Sequence, residues 1–307
     1  LLALAAPATA QAPATAQDPA STTASQDASA ALGVVAQPDG WLTYTRPMAS
    51  TLTLGAARTT TVAGRMDADG TCHSSGSGTF GPRSPDTYQE EVGFNPSTCQ
   101  ERILSGTLST DDVVKLAAAS SGPSPAGAPA GVAASTRATH ANAASTSRSV
   151  VGRAATAYST AHTKTAWIDP VNITITSLAA NLKWPLHGAG GTLTGRVNPY
   201  QFKYDGWSST GPSKITFPSL PGDAGWWMRE TDSFTNKDFA ALVYFLFGPA
   251  GWAACGFHFS TTAHFHHDVI VRGYRNGNRG RSWNDSKSGA CSNLVHHSEW
   301  DGYGWVS

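Results

Sequence analysis

Short runs of alternating apolar and polar residues, broken by turn residues, run through most of the chain from Trp41 onward. Trp41–Thr45, Thr51–Leu54, Tyr88–Phe94, Val171–Thr176, Ala180–Trp184 and Tyr200–Tyr204 each put alternate side chains on one face, the period of a β-strand. Turn signals recur at roughly 8–12 residues, the spacing of antiparallel sandwiches and barrels. The expected fold is therefore mainly β. Ser109-Thr-Asp-Asp112 is a capping-box start and predicts one short helix over 110–118. Phe239–Phe247 is an apolar run whose periodicity fits a buried strand or a short helix, and its aromatic content makes the strand the expectation. Ser74–Gly78 reads as a loop.

Composition divides the chain. Residues 1–38 open with an apolar stretch and Ala8-Thr9-Ala10, similar to the tail of a secretory signal, followed by an Ala/Thr/Gln/Ser/Pro leader that reads as disordered. Residues 39–118 form a small β-rich amino-terminal unit with the helix. Residues 119–157 are an Ala/Ser/Pro/Gly linker. Residues 158–307 form a carboxyl-terminal antiparallel β domain, sandwich or barrel-like, long enough for its own core. The four cysteines fall as Cys72/Cys99 and Cys255/Cys291, one pair on each side of the linker. Pairing within each half needs no contact between domains, and neither spacing suits a zinc ribbon, so two disulfides are expected. No apolar run is long enough for a transmembrane helix.

The most chemically pointed stretch lies between Cys255 and Cys291. On a strand His264, His266 and Asp268 share a face, with Phe265, His267 and Val269 opposite. If Cys255–Ser260 and His264–Gly273 form a hairpin, His258 comes across from His264 or His266 and a weak transition-metal site results, with Asp268 completing or orienting it. The plainer alternative is a polar strand with solvated histidines. Glu230, Asp232 and Asp268 are the carboxylates a glycosidase reading would draw on. The nucleophile elbow, the zinc-protease helix and the phosphate loop are all missing from the sequence.

Charge narrows the partner. With 21 Lys+Arg, 21 Asp+Glu and only 14% charged residues, the chain has no basic excess to hold nucleic acid or an anionic membrane. Ten tryptophans are many for 307 residues, and Trp226, Trp227 and Trp283 stand near turns, where an exposed ring can stack on a sugar face. The alternative is that they plug the core.

Gln89-Glu-Glu-Val-Gly-Phe-Asn-Pro-Ser-Thr-Cys99 resembles an element of secreted two-part proteins of actinomycetes and some fungi. Trp167-Ile-Asp-Pro-Val, Asp232–Phe239, Val271–Gly277 and Gly289-Ala-Cys are similar to the second half of the same group. The resemblance implies a secreted protein with a β-rich carboxyl domain and brings no activity. The expectation is a secreted, non-catalytic binding protein without a cofactor, its partner an extracellular glycan or surface component. A metal-dependent enzyme on the histidines is the alternative, and a structural or protein-interaction module a further one.

Overall fold

The computed structural model describes residues 33–82, 84–120, 158–186, 191–203, 206–213, 215–255 and 261–306. It is mainly β, with every strand pair antiparallel. The amino-terminal half supplies β1 (Val34–Ala36), β2 (Leu42–Tyr44), β3 (Gly55–Val62), β4 (Arg65–Met66), β5 (Cys72–Phe80), β6 (Thr87–Asn95), β7 (Gln100–Thr107) and helix α1 (Thr110–Ser120). The carboxyl-terminal half supplies β8 (Tyr158–Ile168), β9 (Thr174–Pro185), β10 (Thr194–Gln201), β11 (Trp207–Ser209) and β12 (Gly225–Asn236). Helix α2 (Phe239–Ala254), β13 (Ala263–Tyr274), β14 (Arg279–Gly289) and β15 (His296–Tyr303) follow.

These strands build two sheets. One has nine strands, in the order β1-β2-β6-β15-β8-β9-β10, with β7 on β6 and β3 on β7. The other has six, in the order β11-β12-β13-β14-β5-β4. They pack face to face. Leu178, Ala180, Leu182 and Trp184 of β9 meet Met228 of β12 and Val269 and Val271 of β13. Trp184 lies so close to Gly273 that a Cβ there would fall 2.3 Å from its ring, which explains the glycine. A second cluster gathers Trp167, Ile175, Phe234 and Phe265 with Phe239, Leu242 and Val243 of α2. On the far side of the nine-stranded sheet, Tyr88 and Trp300 pack under Ala49 and Leu116 of α1. The Ser109 cap is as expected: its hydroxyl accepts the Asp112 N–H at 3.2 Å and donates to Asp112 Oδ2 at 2.7 Å.

Four expectations need correction. Order starts before residue 39, because Val34 is fully buried and β1 pairs with β2. Ser74–Gly78 is the middle of β5, where Gly76 leaves room for the Trp283 ring and Gly78 for Phe80. Phe239–Phe247 begins a helix, broken at Gly248 (φ 64°, ψ −157°) before Pro249. Phe239, Ala240, Leu242 and Val243 face the core, a helical spacing that an all-apolar run hides.

The largest correction concerns the two units. β5 pairs with β14 over nine residues, and β6 pairs with β15. The halves on either side of the linker therefore share both sheets, and neither holds a complete sandwich. Both disulfides are the expected ones, Cys72–Cys99 and Cys255–Cys291. The first ties the six-stranded sheet to the β6–β7 turn of the other sheet, and the second ties the end of α2 to the β14–β15 connection.

Candidate functional site: the outer face of the six-stranded sheet

Strand alternation sorts β12, β13, β14 and β5 cleanly. Trp226, Met228, Glu230, Asp232 and Phe234 point into the sandwich, so Trp227, Arg229, Thr231, Ser233 and Thr235 point out. On β13 the outward set is His264, His266, Asp268, Ile270 and Arg272, on β14 Ser282, Asn284, Ser286 and Ser288, and on β5 His73, Ser75, Ser77 and Thr79. Register lines these columns into rows. Trp227 lies beside Arg272; Arg229 beside Ile270, then Ser282, then Ser77. A further row runs Ser233, His266, Ser286, His73, Arg65, and the last pairs Thr235, His264 and Ser288. The result is an open face of hydroxyls, one amide, one carboxylate, imidazoles and guanidiniums, with Ile270 among them and one indole at a corner. At the Ser288 end it adjoins a cleft of about 320 Å³ whose lining includes Gly70, Phe94 and Asn293.

Each imidazole has a local partner. His264 Nδ1 lies 3.0 Å from Thr235 Oγ1, and His266 Nδ1 lies 2.7 Å from Ser233 Oγ. His73 Nε2 lies 2.8 Å from Asp67 Oδ2 and 3.0 Å from an Arg65 guanidinium nitrogen, while its buried Nδ1 has no hydrogen-bond partner. Asp268 takes a two-pronged bond from Arg229, at 2.8 and 2.6 Å. That contact raises the Arg229 guanidinium above its ordinary value. Burial lowers the His266 imidazole, with Asp285 opposing, His267 adding, Asp268 opposing and His73 adding.

Behind the face the interior is polar. Asp285 lies between two buried imidazoles, with Oδ2 2.7 Å from His267 Nδ1 and 3.1 Å from His297 Nε2. Burial acts to raise the Asp285 carboxyl, but the His267 and His297 imidazoles outweigh it and hold it below the usual carboxylate range. The Asp268 backbone N–H donates to Asp285 Oδ1 at 3.0 Å, so the buried carboxylate braces β13 where the outer face changes from imidazole to carboxylate.

The sequence-derived candidates separate. Trp227 is partly exposed on the open face, whereas Trp226 turns inward at the rim of the core and carries the Arg275 guanidinium 4.7 Å above its ring. Trp283 is no ligand platform: it is 7% exposed, faces the interior and stacks on His297 at 6.3 Å. His264, His266 and Asp268 do share a face. The expected hairpin fails, because β13 already has β12 on one edge and β14 on the other. His258 lies outside the described residues. Among the described residues, no three His, Cys, Asp or Glu side chains gather to hold a metal ion. Glu230 and Asp232 face the interior and Asp268 the exterior, so these carboxylates do not converge.

His73, Asp67 and Arg65 escaped the sequence reading, because their segment was assigned to a separate unit. The signal was the Ser/Gly alternation from Ser75 to Gly78, which has a strand's period. No family model, curated protein or solved structure matches the chain.

Proposed function

We propose that the chain is a secreted, non-catalytic carbohydrate-binding protein whose ligand lies across the outer face of the six-stranded sheet. The carrying observation is the position of Trp227: partly exposed, at the edge of a face that is polar apart from Ile270, with Arg272 opposite it and Arg229 two residues along. A sugar ring offers an apolar face and a rim of hydroxyls, so its binding needs one flat apolar surface and several groups that donate and accept. An indole supplies the first, and Ser, Thr, Asn and His side chains the second. Secretion fits the two disulfides, which persist in oxidising compartments. Among the described residues no helix is long and apolar enough to cross a membrane.

The test is retention of the purified full chain on a panel of insoluble and soluble glycans, beside Trp227→Ala. The variant should lose about tenfold or more in affinity, the cost of one stacked ring, with its melting temperature unchanged because the ring is outside the core. A chain that binds no glycan, or a variant that binds as tightly as the original, removes the reading.

A further inference from the structure

Three arginines, Arg65, Arg229 and Arg272, and two aspartates, Asp67 and Asp268, stand on or reach over this face, and Asp69 in the turn before β5 acts on the His73 imidazole, so the fixed charges balance and the histidines decide the sign. Asp268 is already engaged by Arg229, and Asp67 by Arg65 and His73. Protonating His73, His264 and His266 would add three positive charges to the face. These groups are not scattered. From His264 to Arg272 the β13 column runs roughly 27 Å at about 3.4 Å per residue, long enough for several consecutive sugar rings. The row from Arg65 through His73 to His266 crosses it at right angles.

Resting on the carbohydrate reading, we propose that the ligand is an acidic polysaccharide, its carboxylate or sulfate groups meeting Arg272 and the His264/His266 column, and that it binds more tightly as the medium acidifies. A neutral glycan gains only ordinary hydrogen bonds from this placement of cations. An acidic one gains charge-assisted hydrogen bonds, which exceed neutral ones in strength. The groups facing His266 are Asp285 from β14, His267 and Asp268 on β13, His73 from β5 and the Ser233 hydroxyl from β12. Burial holds the His266 imidazole below its ordinary value, so it takes up its proton on the acid side of the usual ~6.5 midpoint.

The test immobilises the full chain and measures three probes: polygalacturonate, a neutral β-glucan and single-stranded DNA. Each is run at pH 5 and pH 8, on either side of the ~6.5 histidine midpoint, where polygalacturonate stays ionised. Polygalacturonate should bind about tenfold tighter at the lower pH, and there about tenfold tighter than the glucan, with both ratios shrinking in added salt. A double His264→Ala, His266→Ala variant should lose most of the pH dependence and keep its melting temperature. Equal binding of glucan and polygalacturonate, or no pH dependence, overturns the inference and leaves the carbohydrate reading standing. DNA bound as tightly as polygalacturonate also overturns it, because the face would then be attracting any polyanion. No binding of either glycan at either pH sinks both readings.

Discussion

Glu230 shows how far one residue's role depends on which side of a strand it occupies. It shares β12 with Trp227 and Arg229 but points inward, fully buried, where the Ser213 hydroxyl donates to Oε2 at 3.2 Å and Oε1 has no partner. Burial pushes its carboxyl up to about 7, the Ser213 bond opposing. An unfolded glutamate loses its proton near ~4.3. Between that value and about 7 the folded chain keeps a proton the unfolded chain has released, so stability falls as pH rises through this window. Asp169, raised by burial to about 6, acts in the same sense. Asp285 acts in the opposite one: held below its unfolded value, it contributes stability at neutral pH that is lost in strong acid. Glu230→Gln should therefore leave stability near pH 5 little changed and raise it by about 1–3 kcal/mol near pH 8. Urea unfolding at the two pH values measures this, and an equal effect at both would show that the carboxyl is ionised in the folded state throughout.

At the scale of elements, α2 depends on its anchoring. Phe239, Leu242 and Val243 enter the core, but Tyr244 and Phe245 are more than half exposed. The chain returns from it through Cys255, bonded to Cys291 beside β15. Removing that bond with Cys255→Ser and Cys291→Ser should cost about 3.5–4 kcal/mol, the loop-closure value for this sequence separation. Guanidinium unfolding would detect it, and a loss below about 1 kcal/mol would mean that packing alone holds the helix. The same helix marks the limit of sequence reading here. The Ala180–Trp184 stretch of β9 was legible because apolar and polar side chains alternate along it, although both of its faces are buried. The Phe239–Phe247 run has no such contrast, and β5 is so rich in Ser and Gly that its strand was taken for a loop. For the candidate site, the shared face of His264, His266 and Asp268 and the separation of Trp226 from Trp227 were readable from period two. The rows across the sheet were not, since they depend on β5 and β14 meeting from opposite ends of the chain.

That long-range pairing governs the whole molecule. The seam where the two halves meet is lined with buried charge. Arg279 pairs with Asp301 at 3.0 Å, Arg281 with Glu299 at 2.7 Å, and Lys287 with Glu91 at 3.5 Å. Such pairs add little net stability over apolar packing, but leaving one member alone is costly, so the pair that crosses the seam, Lys287 with Glu91, penalises separation of the halves more than it favours folding. Glu91 and Lys287 lie on opposite halves, as do Thr87 and Arg281, whose NH1 donates to Thr87 Oγ1 at 2.8 Å. The two disulfides do not cross the seam. Light trypsin treatment, cutting in the linker at Arg137, Arg148 or Arg153, should therefore leave one particle of unchanged size by gel filtration. Without any reductant, denaturing electrophoresis should then resolve it into two fragments. The carboxyl-terminal fragment, separated in urea and returned to buffer alone, should fail to regain a cooperative transition, because β14 would lack β5 and β15 would lack β6. Mixing it with the amino-terminal fragment should restore the transition. A carboxyl fragment that folds by itself would contradict the shared sheets and return the chain to two independent units.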